Sequence, residues 1–200
     1  MTRQRFLGRI AGAGSTSGVR LVVGRWDESP LGRFSDVMVA DPGGRRVLLA
    51  PDQDVAGLVA TTYGFDEVRI GPVEVSSDGP VWSVRAPGLE LTLVVGRRTP
   101  LGWVLRAVPR RVATSPAWST ITDPVARVVL RGVRTRGTAG NDRREYYGAT
   151  DLHRIVSLDG TWQGTDLGEL APVAPEPGFG FGSTPERPSV TSLVTTIDVG

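Results

Sequence analysis

The stretch EVRIGPVEVSSDGPVWSVRAPGLELTLVV, Glu67 to Val95, decides the fold class. Glu67–Ser76, Val81–Ala86 and Leu89–Val95 each alternate apolar and polar residues, the period of a half-buried strand. Between them lie Ser77-Asp78-Gly79-Pro80 and Pro87-Gly88. Pro presets φ for a turn and Gly accepts positive φ, so the chain reverses at both places. Short strands joined by tight turns form an antiparallel meander, and Leu101–Val108 is expected to continue it as a strand.

The same pattern extends in both directions. Upstream, Gly18–Trp26 and Arg33–Ala40 read as strands, and Asp41-Pro42-Gly43-Gly44 turns the second into Arg45–Ala50 as a hairpin. One segment changes period: Val55, Leu58, Val59 and Thr62 recur at i, i+3, i+4 and i+7. This predicts a helix over 52–63, with Asp52 as N-cap and Gly64 as its stop. Ser115-Pro116 and Asp123-Pro124 are cap-then-Pro starts, which predict short helical turns between 116 and 130. Strand patterning returns at Asp151–Leu158, Leu167–Val173 and Val190–Val199. The Gly/Pro-rich stretch 174–188 carries Phe179 and Phe181, which predict a loop packed on the body. The expectation is a mostly β fold, all-β or α+β: residues 1–200 as a single antiparallel β-barrel-like domain with one or two short helices.

Composition removes whole classes of chemistry. All 23 basic residues are Arg, and the chain has no Lys and no Cys. A Schiff base, a pyridoxal-phosphate linkage, a thiolate nucleophile and a Cys-based metal site are therefore excluded. With a single His, His153, no metal site is expected, nor any cofactor. The 21 acids interleave with the 23 basic residues for a net charge of +2, so nucleic acid is not an expected partner. No apolar run approaches the ~18 residues of a membrane span, and a cytoplasmic location is expected. Oligomeric state has no signature here.

Two windows carry a family likeness. Leu93-Val-Val-Gly-Arg-Arg is followed by Pro109-Arg-Arg-Val-Ala, and Trp162-Gln-Gly-Thr-Asp-Leu comes later. Together they resemble segments of the acetoacetate-decarboxylase-like superfamily, where a strand ends in Gly-Arg-Glu and a Pro-Lys-Lys tract follows. The resemblance implies a cone-shaped β-barrel with a pocket near Arg97, Arg98, Arg110 and Arg111. It also implies lost chemistry. Arg110 and Arg111 stand where that family carries its iminium-forming Lys, and a guanidinium is no amine nucleophile. Arg98 replaces the family's Glu. Decarboxylation through Lys is excluded, and no catalytic residue carries over.

The densest polar region is Arg131–His153, RGVRTRGTAGNDRREYYGATDLH. Arg134, Arg136 and Arg144, with Arg97, are the candidate ligand-binding cations. Arg forks bind planar carboxylates bidentately, and Tyr146 or Tyr147 would complete the orientation. The competing reading is an exposed hairpin loop, Thr138–Arg143, whose Arg residues pair with local acids. His153 lies two residues from Asp151, so on a strand they share a face and could form a base-orienting pair. Glu145 completes the candidate catalytic set. Asp36, Asp66 and Glu67 are further acids without diagnostic spacing. Ser183 lacks the strand–helix elbow of a hydrolase nucleophile. Five Trp residues, Trp26, Trp82, Trp103, Trp118 and Trp162, read as core and barrel-end packing. The expected function is binding of a small organic carboxylate. The alternatives are a hydrolase or isomerase using His153 with a carboxylate, and a structural or interaction protein.

Overall fold

The computed structural model describes residues 2–109, 113, 136–139, 143–179 and 184–199. The chain runs β1 (Thr2–Ser15), β2 (Arg20–Glu28), β3 (Phe34–Ala40), β4 (Arg46–Ala50) and α1 (Gln53–Ala60). Next come β5 (Glu67–Ile70), β6 (Glu74–Asp78), β7 (Val81–Ala86), β8 (Leu89–Arg98) and α2 (Pro100–Ala107). β9 (Arg136–Ala139), β10 (Arg143–Trp162), β11 (Thr165–Asp166), β12 (Leu170–Ala171) and β13 (Ser189–Val199) complete the order. Ten strands follow one path, β5-β4-β3-β2-β1-β13-β10-β8-β7-β6; β9 and β11 pair with β10, and β12 with β1. The fold is mostly β, a strongly curled sheet forming a half-barrel.

The curl has a packing cause. Leu21, Val23, Val37, Val39, Val47 and Leu49 come from one end of the strand order, and Trp82, Val84, Leu91 and Leu93 from the other. All join one buried cluster, so the sheet must bend until its two halves share a core.

The meander, the 33–50 hairpin and the helix after Asp52 are present. The Asp52 side chain accepts the Val55 amide at 2.8 Å, and Val55 and Val59 are buried beneath α1. The helix ends at Thr61, before Gly64, whose amide instead donates to the Phe179 carbonyl at 2.6 Å. Phe179 is buried against Phe65, with ring centroids 5.8 Å apart, so this part of the 174–188 loop does pack on the body.

Three local expectations are corrected. Residues 67–76 are two strands, because Gly71-Pro72 interrupts them and Pro cannot donate to a ladder. The halves lie at opposite edges of the sheet: β6 pairs antiparallel with β7, whereas β5 pairs parallel with β4, with α1 as the crossover a parallel pair requires. Leu101–Val108 is not a strand but most of α2. The Thr99 hydroxyl caps Gly102 N at 3.0 Å and Pro100 opens the first turn, a cap-then-Pro start that overrides the apolar pattern. Of Leu167–Val173, only Leu170–Ala171 forms a strand, against Gly14 and Ser15. Finally, β1 is central yet its alternation is masked by Gly8, Gly12 and Gly14; at Gly14 a Cβ would collide with the Pro172 carbonyl. The turns expected between 116 and 130 lie outside the described residues.

Candidate functional site

Strand alternation splits β2 and β3 into two sets. Leu21, Val23, Val37 and Val39 face the main core. Val22, Gly24 and Trp26, with Phe34, Asp36 and Met38, take the other face, beneath α1. There a cavity of about 50 Å³ opens between sheet and helix. Its walls include Phe6 and Ile10 from β1, Leu58 and Val59 from α1, Tyr63 just after the helix, and Thr195 from β13.

Asp36 is the anomaly in this apolar wall. It is 1% exposed and, among the described residues, its carboxyl accepts one hydrogen bond, from Trp26 Nε1 at 2.9 Å. No described cation lines the cavity. Burial pushes the Asp36 carboxyl up to about 6, only partly opposed by the Trp26 hydrogen bond. Gly24 makes the arrangement feasible: a Cβ there would meet both Asp36 Oδ1 and Trp26 Nε1. Thr195, 2% exposed, adds a hydroxyl with no hydrogen-bond partner among the described residues. A buried carboxyl and a buried unpaired hydroxyl lining one cavity are costly unless something else uses them. Asp36 therefore becomes the principal site residue.

The second cluster contains the Asp151–His153 pair. His153 Nε2 lies 3.5 Å from Asp151 Oδ2, and Nδ1 lies 3.2 Å from the Gly96 carbonyl. Asp151 is mainly engaged by Arg98, whose Nε and Nη2 donate to its two oxygens at 2.7 and 2.9 Å. The Leu152 amide donates to it at 2.8 Å. Burial alone would push the Asp151 carboxyl up, but these hydrogen bonds and the neighbouring His153 hold it below the usual carboxylate range. Arg98 also stacks over Trp103, 4.5 Å from the ring centroid. The cluster ties the end of β8 to β10 beside register shifts in β10.

The other sequence candidates are dispersed. Arg97 is exposed beside Arg98. Arg134, Arg110, Arg111, Trp118, Phe181 and Ser183 lie outside the described residues. Arg136, Arg144, Glu145, Tyr146 and Tyr147 are described in backbone only, in a hairpin that pairs Arg136 with Tyr146 and Arg144 with Thr138. Asp66 and Glu67 are taken up at the surface. Asp66 pairs with Arg46 at 3.0 Å, and hydrogen bonds from Arg46 hold it down at about 2; Glu67 pairs with Arg45 and Arg69. Trp82 and Trp162 are core residues, Trp26 lines the cavity, and Trp103 is 61% exposed.

No family model matches the chain, and no curated protein sequence does. Among solved structures it is similar to the acetoacetate decarboxylase of Legionella pneumophila subsp. pneumophila str. Philadelphia 1, at 8% identity and a TM-score of 0.44, over 98% of this chain and 84% of that one. The likeness is distant and concerns the fold alone. No helix among the described residues is long and apolar enough to cross a membrane.

Proposed function

We propose that the protein binds a small, mostly apolar molecule in the cavity between α1 and the sheet, through non-covalent contacts. The observation that carries this is Asp36, a fully buried carboxyl without a cationic partner among the described residues, set into a mostly apolar wall. Apolar walls with a few convergent polar groups are the usual anatomy of a ligand site. A water needs ~10–15 Å³ by the same measure, so about 50 Å³ accommodates a molecule of a few heavy atoms. A cytoplasmic setting goes with this reading.

The carboxylate reading is the second proposal, favoured by the hairpin register that sets Arg136 opposite Tyr146. Arg forks there would bind a planar anion bidentately. One experiment separates the two sites. Small neutral, acidic and basic fragments are screened by thermal shift against wild type, Thr195→Leu, Thr62→Leu and Arg144→Ala. A ligand of the cavity raises the melting temperature of wild type and of Arg144→Ala, by mass action on the folded state, but not of the two cavity-filled variants. A response to acids lost only in Arg144→Ala assigns the ligand to the hairpin instead. No fragment shifting wild type contradicts both.

A further inference from the structure

We infer that the cavity selects a small organic ammonium ion, its charged head paired with Asp36 and enclosed by the surrounding aromatic rings. This rests on the reading of the cavity as a ligand site and adds the chemical class.

Charge and ring content point the same way. Phe6, Trp26, Phe34 and Tyr63 all line the space that Asp36 enters. Phe6 and Trp26 meet edge to face at 5.8 Å, and Trp26 and Phe34 lie 6.2 Å apart. Aromatic faces carry negative quadrupole density and attract cations, most strongly where water is excluded. Among the described lining residues there is no Arg or His, so a carboxylate ligand would meet from these only the like charge of Asp36. An ammonium meets the opposite charge in a low-dielectric site. Its N–H donors also match the acceptors left over. Among the described residues, Asp36 accepts only from the neutral Trp26 indole, and Thr195 Oγ1, buried and without a partner there, can accept another. The cavity volume limits the ligand to a short alkyl chain.

The affinity should then follow the ionisation of Asp36. Among the described lining residues, Tyr63 is the other titratable group; β1, β2 and β13 contribute apolar side chains, Gly24 and Thr195 to the lining, and α1 contributes Leu58 and Val59. An ammonium binds the ionised carboxyl, so its affinity should fall about tenfold per pH unit once Asp36 protonates, below about 6.

The test follows the Trp26 indole Nε1–H resonance of the full chain by NMR, because that proton sits on Asp36. Propylammonium, 1-propanol and propionate are titrated at about pH 7.5 and about pH 5. Propylammonium is expected to bind at least about tenfold more tightly than propanol at the higher pH, and to lose about tenfold at the lower. Propionate is expected not to move the resonance. Asp36→Asn should abolish the preference, and Tyr63→Phe should keep the pH dependence. Propanol or propionate binding as well as propylammonium in wild type would overturn the inference while leaving the small-molecule reading in place. Silence from all three would remove both.

Discussion

Asp36→Asn is expected to raise the stability of the protein at pH 8 by about 3 kcal/mol and to change it little at pH 4. Burial raises the Asp36 carboxyl from 3.8 to about 6, so between those values the folded protein holds a proton that the unfolded chain has released. Stability from this group is fully present below the unfolded value and is lost as pH rises through about 6. A shift of roughly two units corresponds to about 3 kcal/mol at 1.36 kcal/mol per unit. Asn is nearly isosteric, carries no charge and keeps an oxygen for Trp26 Nε1. Urea denaturation at both pH values reads the difference as a change in midpoint at constant slope. A stability difference that does not vary with pH would place the Asp36 carboxyl in water.

Trp82→Ala is expected to cost about 3–5 kcal/mol, against ~1 kcal/mol or less for Trp103→Ala, which loses only its stacking with Arg98. Trp82 is 2% exposed and lies in β7, near one edge of the sheet, yet it belongs to the cluster shared with Val37, Val39 and Leu49 near the other. Its removal leaves a cavity where the halves of the curl meet, whereas Trp103 already faces solvent on α2. Equal losses in the two variants, measured by the same denaturation, would mean that the curled core is not the main source of stability.

The difference between those two Trp residues also marks what local patterning reveals. Period-2 alternation at 81–95 and the helical stripe at 55–62 are set by the burial of one face, and both are visible in sequence. Which strand partners which is decided across long separations. Glu67–Ser76 therefore reads as one strand, although Gly71-Pro72 sends its halves to opposite edges. Leu101–Val108 has strand-like composition, but the Thr99 cap and Pro100 outweigh it. Strand β1 is hidden for the opposite reason: its glycines satisfy close approach by neighbouring chain and contribute no apolar period.

The candidate site was legible only in part. Asp151 and His153 do meet, as their spacing allows, but Arg98, the chief partner of Asp151, comes from the neighbouring strand β8, far away in sequence. The burial of Asp36 does have a signal in the sequence. In Phe34-Ser-Asp-Val-Met-Val, an acid falls on the same face as Phe34 and Met38, while Val37 and Val39 fill the other. A strand apolar on both faces is covered on both sides, so its one acid must be buried. The partners in Trp26, Gly24 and Thr195 could not be read, because they depend on the register of β1, β2, β3 and β13.

Asp36 is the centre of this account, and its ionisation can be observed directly. The side-chain carboxyl carbon of Asp36 is followed by NMR across pH 3–8 in the ligand-free protein and assigned by comparison with Asp36→Asn. The account predicts a midpoint at about 6, with the Trp26 indole N–H shifting at the same pH. A midpoint near the ordinary 3.8, with an indole signal that does not respond, would contradict it.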